Sequence, residues 1–124
     1  MNVKIDTKEK FVEISVLEQQ ITANMAVELE EILSELLKTD KKNVILKFDA
    51  VQGMEVDFAE SLAGIQADFY EKGASFVICN LQPNVKQGLD EAELYDIMNI
   101  TPTLSEAWDM VQMEEIEREL LDGL

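Results

Sequence analysis

The side chains best able to do chemistry crowd between Asp49 and Asp57, where Asp49, Gln52, Glu55 and Asp57 surround Gly53 and Met54. Carboxylate oxygens at this density suit a hard cation such as Mg2+. The alternative needs no ligand: Asp49 ends a strand, Asp57 caps a helix, and Gly53 is free to take positive φ in the loop between them. The chain has no histidine. That removes both the commonest general base near neutral pH and the commonest metal-ligand side chain. Any catalysis would run on carboxylates, lysine, tyrosine or the single thiol, Cys79. Cys79 closes the apolar run Phe76 to Cys79 with no histidine to activate it, so packing is its expected use. None of the five glycines falls in a G-x-G-x-x-G or G-x-x-x-x-G-K pattern, so no phosphate-cradling loop and no cofactor are expected.

The elements that position these residues follow from periodicity. Val3 and Ile5, then Val12, Ile14 and Val16, alternate with polar residues around a turn at Thr7 to Lys10, which predicts an opening hairpin. Met25, Leu29, Ile32, Leu33, Leu36 and Leu37 lie on one face of a helix that Asn24 or Thr22 could cap and that Thr39-Asp40-Lys41-Lys42 ends. Val44 to Phe48 reads as a strand buried on both faces. Phe58, Leu62, Ile65 and Phe69 define a second helix that stops at Lys72-Gly73 in a glycine cap. After the strand at Phe76 to Cys79, Pro83 opens a short third helix. A short strand over Met98 to Thr101 then leads to the capping box Thr103-x-x-Glu106 and a last helix carrying Leu104, Ala107, Trp108 and Val111. The order β-β-α-β-α-β-α-β-α makes one α/β layered fold, a mixed sheet with an N-terminal hairpin, parallel central strands and about four helices.

Composition bounds the partners. In 124 residues, 47% of them apolar, 26 Asp and Glu face 10 Lys and Arg, a net charge of −16. A chain so acidic would repel a polyanion, which argues against nucleic acid and against anionic membrane surfaces. The N-terminus has no long apolar run of the signal-peptide kind and no stretch approaches a membrane span, so direct membrane insertion is not expected. One cysteine cannot form an internal disulfide, and a cytoplasmic location is the natural expectation. A phosphoacceptor receiver domain would fit the length and the alternation of elements. The opening hairpin and the absence of any lysine after Lys86 speak against it.

One stretch is more specific than composition. Gly73-Ala74-Ser75-Phe76-Val77-Ile78-Cys79-Asn80-Leu81-Gln82-Pro83-Asn84-Val85 resembles the glycine, strand and proline turn of the STAS domain, the fold shared by sulfate-transporter tails and bacterial anti-sigma factor antagonists. Leu89 to Ile97 and Thr103-Leu104-Ser105-Glu106-Ala107 continue the resemblance, which covers about residues 3 to 112. This sets a STAS-like domain over 1–112 and an acidic helical extension over 113–124.

The resemblance implies signalling by protein contact rather than catalysis. Antagonists of this family bind an anti-sigma factor kinase, which phosphorylates a serine in a D-S-[ST]-G-type motif at the start of the second helix and so breaks the complex. Here Glu55-Val56-Asp57-Phe58 falls on that motif. Glu55 takes the aspartate, Val56 the acceptor serine, and Ser61 lies a helical turn further on. Gln19-Gln20-Ile21-Thr22 also departs from the family's Gly-Glu-Leu-Asp pattern. Asp57 is then either a permanent, partial imitation of phosphoserine or only an acid at a helix N-terminus. The expected partner surface joins Glu55, Val56, Asp57, Phe58 and Ser61 to supporting positions Thr22, Asp49, Gln52, Gly53 and Met54. Its occupant would be an anti-sigma factor kinase or another regulatory protein. The alternative occupant is the ABC transporter ATPase of a lipid or anion transport complex, with this chain as a scaffold subunit. From Asn80 onward there are 11 acids against Lys86 and Arg118, so most of the excess charge lies on the last helices, expected as solvated surface that keeps the protein soluble, with a basic partner as the alternative.

Overall fold

A computed structural model describes residues 1–40 and 43–122. The hairpin pairs β1 (Val3–Thr7) antiparallel to β2 (Val12–Val16). Behind it β4 (Val44–Lys47), β6 (Phe76–Cys79) and β7 (Ile100–Thr101) add in parallel, giving the order β1-β2-β4-β6-β7. Helical crossovers make parallel neighbours possible. They are α1 (Met25–Leu36), α2 (Val56–Glu71) and α3 (Pro83–Glu91), with a 3-10 turn at Tyr95–Ile97 before the last strand.

The two faces of the sheet are buried by different helices. Val12, Ile14, Val16, Val44, Leu46, Phe76 and Ile78 form one core with Leu29 and Leu33 of α1, Phe58, Leu62, Ile65 and Phe69 of α2, and Val85 and Leu89 of α3. On the opposite face Ile45, Val77 and Cys79 meet Ala107 and Val111 of α4 (Leu104–Asp122), with Phe11 stacked on Trp108 at 5.0 Å. The central strands are therefore apolar at consecutive positions, as strands covered on both sides must be. One ion pair interrupts the second face, Lys47 Nζ to Glu13 at 3.2 Å. The bond to Glu13 raises the lysine's pKa above its ordinary value of 10.5, against the lowering effect of burial.

Helix ends obey local rules with two corrections to expectation. Gly73 has φ +71°, and its N–H reaches Tyr70 O at 3.1 Å while Ala74 N–H reaches Phe69 O at 2.9 Å, the pair of bonds that closes α2. Pro83 stands in the first turn of α3, and Glu106 N–H donates to Thr103 Oγ1 at 3.2 Å before α4. At α1 neither Asn24 nor Thr22 caps through its side chain. The first donors instead reach backbone carbonyls, Met25 N–H to Thr22 O and Ala26 N–H to Ala23 O, both at 3.1 Å. Of the expected terminus of that helix, Lys41 and Lys42 lie outside the described residues. The second correction concerns Gly53, whose φ is not positive. It belongs to a two-stranded parallel pair, β3 (Gln20–Ile21) with β5 (Gly53–Met54), for which the spacing of apolar residues held no sign. Helix α4 runs without interruption through residues 112 and 113.

Candidate functional site

Strands β2, β4 and β6 are mutually parallel, so their carboxyl ends and following loops gather at one end of the sheet. The β3–β5 pair locks two of those loops together. Gln52 and Gly53 donate to Gln19 O at 2.7 and 3.1 Å, and Glu55 N–H donates to Ile21 O at 2.9 Å. This sets the entry of α2 beside residues 19–23. An added Cβ at Gly53 would run into the Gln20 side-chain amide, which is exposed and can swing aside.

At the entry itself Glu55 is the N-cap residue, with extended backbone and no side-chain cap bond, and its carbonyl accepts from Ala59 N–H at 3.2 Å. Asp57 is therefore not the cap. It sits one residue inside the first turn, exposed, where the helix dipole favours its negative charge. Val56 between them is 50% exposed. Met54 and Val56 border a small cavity of about 50 Å³ completed by Ala59 and by Asn84, Val85, Gly88 and Ala92 of the α3 region. The exposed start of α2 is thus an apolar spot between two carboxylates.

The remaining residues divide between surface and support. Phe58, expected on the partner surface, is fully buried in the core and cannot meet a partner. The reason lies in the helix itself, since position 58 begins the stripe that continues through Leu62, Ile65 and Phe69. Ser61 is half-buried and its Oγ donates to Asp57 O at 3.1 Å, a bond to the preceding turn of its own helix. Thr22 is half-buried beside α1 and contributes a backbone carbonyl. Asp49 turns away from Glu55 and Asp57 to join the next loop. Asn80 Nδ2 donates to its two carboxylate oxygens at 3.1 and 3.2 Å, and Gln82 Nε2 donates to its carbonyl at 2.7 Å. Asn80 manages this from φ +61°, a left-handed conformation that asparagine tolerates. The acidic residues 49, 55 and 57 do not converge, and among the described residues no group of three or more Asp, Glu or Cys is placed to hold a metal ion.

Cys79 ends β6 beneath α4, and burial pushes its thiol up to about 12. It stays protonated, hence a poor nucleophile, at neutral pH. Asn80 and Gln82 were legible only as loop residues. Their bonds to Asp49 span 31 and 33 residues, separations that no local pattern signals.

A model of the STAS domain matches residues 3–107. No curated protein sequence matches the chain. Among solved structures, the anti-sigma factor antagonist from Mycobacterium paratuberculosis superposes with a TM-score of 0.75 at 16% identity, over 90% of this chain and 93% of that one. A Ser-to-Glu variant of RsbS from Moorella thermoacetica gives 0.72 at 18% identity, over 90% and 96%. The murine anion transporter Slc26a9 gives 0.68 at 12% identity, over 84% of this chain but 18% of the transporter. At these identities the structures share a fold, a mixed sheet with an antiparallel N-terminal hairpin and four helices, and with the match over residues 3–107 the chain belongs to the STAS domain family.

Proposed function

We propose that the chain is a non-catalytic protein-interaction domain of the anti-sigma factor antagonist type, acting in the cytoplasm, whose partner surface is the exposed entry of α2. The observation that carries this reading is the chemistry at residues 55 to 57. Where the family resemblance puts a phosphorylatable hydroxyl, the exposed position holds Val56, with Glu55 and Asp57 on either side. Ser61, the nearest hydroxyl along α2, bonds within the helix. The surface therefore keeps an apolar contact that a kinase cannot convert into a dianion, and the domain is an unswitched partner. Asp57 contributes one negative charge beside that contact, less than a phosphate would and with fewer acceptor oxygens.

The partner favoured by this reading is an anti-sigma factor kinase or another regulatory protein. Charge reversal tests the surface directly. Asp57 is exposed in the first turn of α2, so Asp57→Lys should change the unfolding midpoint little while shifting affinity for the kinase of the source organism by tenfold or more, about 1.4 kcal/mol. Unchanged affinity in calorimetric titration would move the interface elsewhere. A second reading, a scaffold subunit in a lipid or anion transport complex with an ABC transporter ATPase, draws on the shared fold with part of an anion transporter. It is distinguished by co-purification with a permease and an ATPase instead of a kinase.

A further inference from the structure

The second half of α4 turns polar side chains toward the domain and leaves apolar ones exposed among Gln112, Glu117 and Glu119, unlike an ordinary packed helix, whose apolar stripe faces inward. Past Val111 the inward positions are Glu114, Glu115 and Arg118. Each is tied to the domain. Asn99 Nδ2 donates to Glu114 Oε2 at 3.2 Å, Asn43 Nδ2 to Glu115 Oε1 at 2.5 Å, and Arg118 Nη1 to Ser75 Oγ at 3.0 Å. These bonds fix the rotation of the helix about its axis. Met113, Ile116 and Leu120 are thereby held outward, 61%, 56% and 67% exposed.

Scattered exposed apolar residues need no explanation, but these three are not scattered. Spacings of three and then four place them on one line, the a, d and a positions of a heptad seam. Asp109 precedes them on that line, while Glu117 and Glu119 occupy the flanking e and g positions. Helix pairing along such a seam sets flanking residues of the two helices against each other. An antiparallel second copy of this chain would bring glutamate to glutamate across the seam, and an in-register parallel copy would set Asp109 against Asp109 on it, in each case between molecules of charge −16. An anionic lipid surface meets the same repulsion.

We propose that the outer face of α4 docks a basic amphipathic helix of a partner protein, its apolar residues on Met113, Ile116 and Leu120 and its Lys or Arg side chains beside Glu117 and Glu119. The face lies across the sheet from the entry of α2, so this inference is independent of the function proposed above.

The test is a fluorescence anisotropy titration of the whole chain with three labelled model helices. One carries a leucine seam flanked by lysine, the second the same seam flanked by glutamate, and the third the lysine composition in scrambled order. The lysine-flanked seam should bind about tenfold or more tighter than either control. Ile116→Asp should remove that preference without shifting the thermal midpoint, and Glu117→Lys combined with Glu119→Lys should reverse the order of the first two peptides. Equal binding of the scrambled peptide would mean attraction by net charge alone and would overturn the proposal. So would full binding to Ile116→Asp. A wild-type dimer in sedimentation that Ile116→Asp dissociates would overturn it in favour of a second copy.

Discussion

Val56 and Phe58 stand two residues apart and do opposite things, one half exposed at the helix entry and the other at 0% exposure in the core. Period and motif compete at such a place. The motif alignment put residues 55 to 58 together on a surface, whereas the stripe Phe58, Leu62, Ile65 and Phe69 already required Phe58 to face inward. Periodicity wins because burying an aromatic ring is worth about 2–3 kcal/mol, more than any preference of an exposed first turn. Cys79 is the clearer case, since an apolar run without a histidine already meant packing. Its raised pKa makes a pH prediction. The unfolded thiol ionises near its ordinary value of 9.0 while the buried one keeps its proton up to about 12, so over that range the unfolded state holds fewer protons and stability falls as pH rises. Lys47 acts in the same direction, its ion pair with Glu13 being intact below 10.5 and lost as pH climbs through the raised folded value. Urea midpoints measured from neutral to alkaline pH should decline, and Cys79→Val should decline less steeply. Parallel curves for the two proteins would contradict this assignment.

Among the elements, those with many apolar residues in register were legible, and those held by backbone alone were not. Helix α2 was readable to its glycine cap because four buried residues mark its face and Gly73 follows at once. The β3–β5 pair contains two residues on each side and is defined by main-chain bonds such as Gln52 N–H to Gln19 O, which any sequence could make. That pair nevertheless aligns the entry of α2, so a feature silent in the sequence positions the candidate site. The caps show the same division. Thr103 bonds Glu106 N–H as its spacing suggests, but Glu55 occupies the N-cap of α2 without a side-chain bond, and Asp57 stands inside the turn. The glycine cap allows a clean measurement. At Gly73 the nearest side-chain atom to an added Cβ would be Arg118 Cδ at 4.0 Å, ordinary contact, so Gly73→Ala should cost only the left-handed strain of about 1–2 kcal/mol. A loss near zero in chemical denaturation would show that α2 can end without the positive φ.

Across the whole molecule, Asn43 joins segments far apart in the chain at the amino end of the parallel strands. Its carbonyl oxygen accepts from Ser75 N–H at 2.9 Å and Arg118 Nη2 at 3.4 Å, while its amide donates to Lys10 O and Glu115. The acidic stretch after residue 112 is thus partly anchored rather than wholly solvated, a distinction that charge counting could not draw because Glu115 and Glu119 look alike in sequence. Asn43→Ala strands a buried N–H at Ser75 and should cost about 1–3 kcal/mol in equilibrium unfolding. No measurable loss would mean water replaces the amide. At this scale the central claim is that the domain engages its partner without a phosphorylation switch at the entry of α2. Its most direct test is intact-mass spectrometry after incubation with the anti-sigma factor kinase of the source organism and ATP, beside a phosphorylatable antagonist and a Val56→Ser variant. The account predicts no gain of the roughly 80 Da of one phosphoryl group on the wild-type chain, with gain on the other antagonist and on Val56→Ser. Stoichiometric phosphorylation of the wild-type chain at a serine or threonine would contradict it.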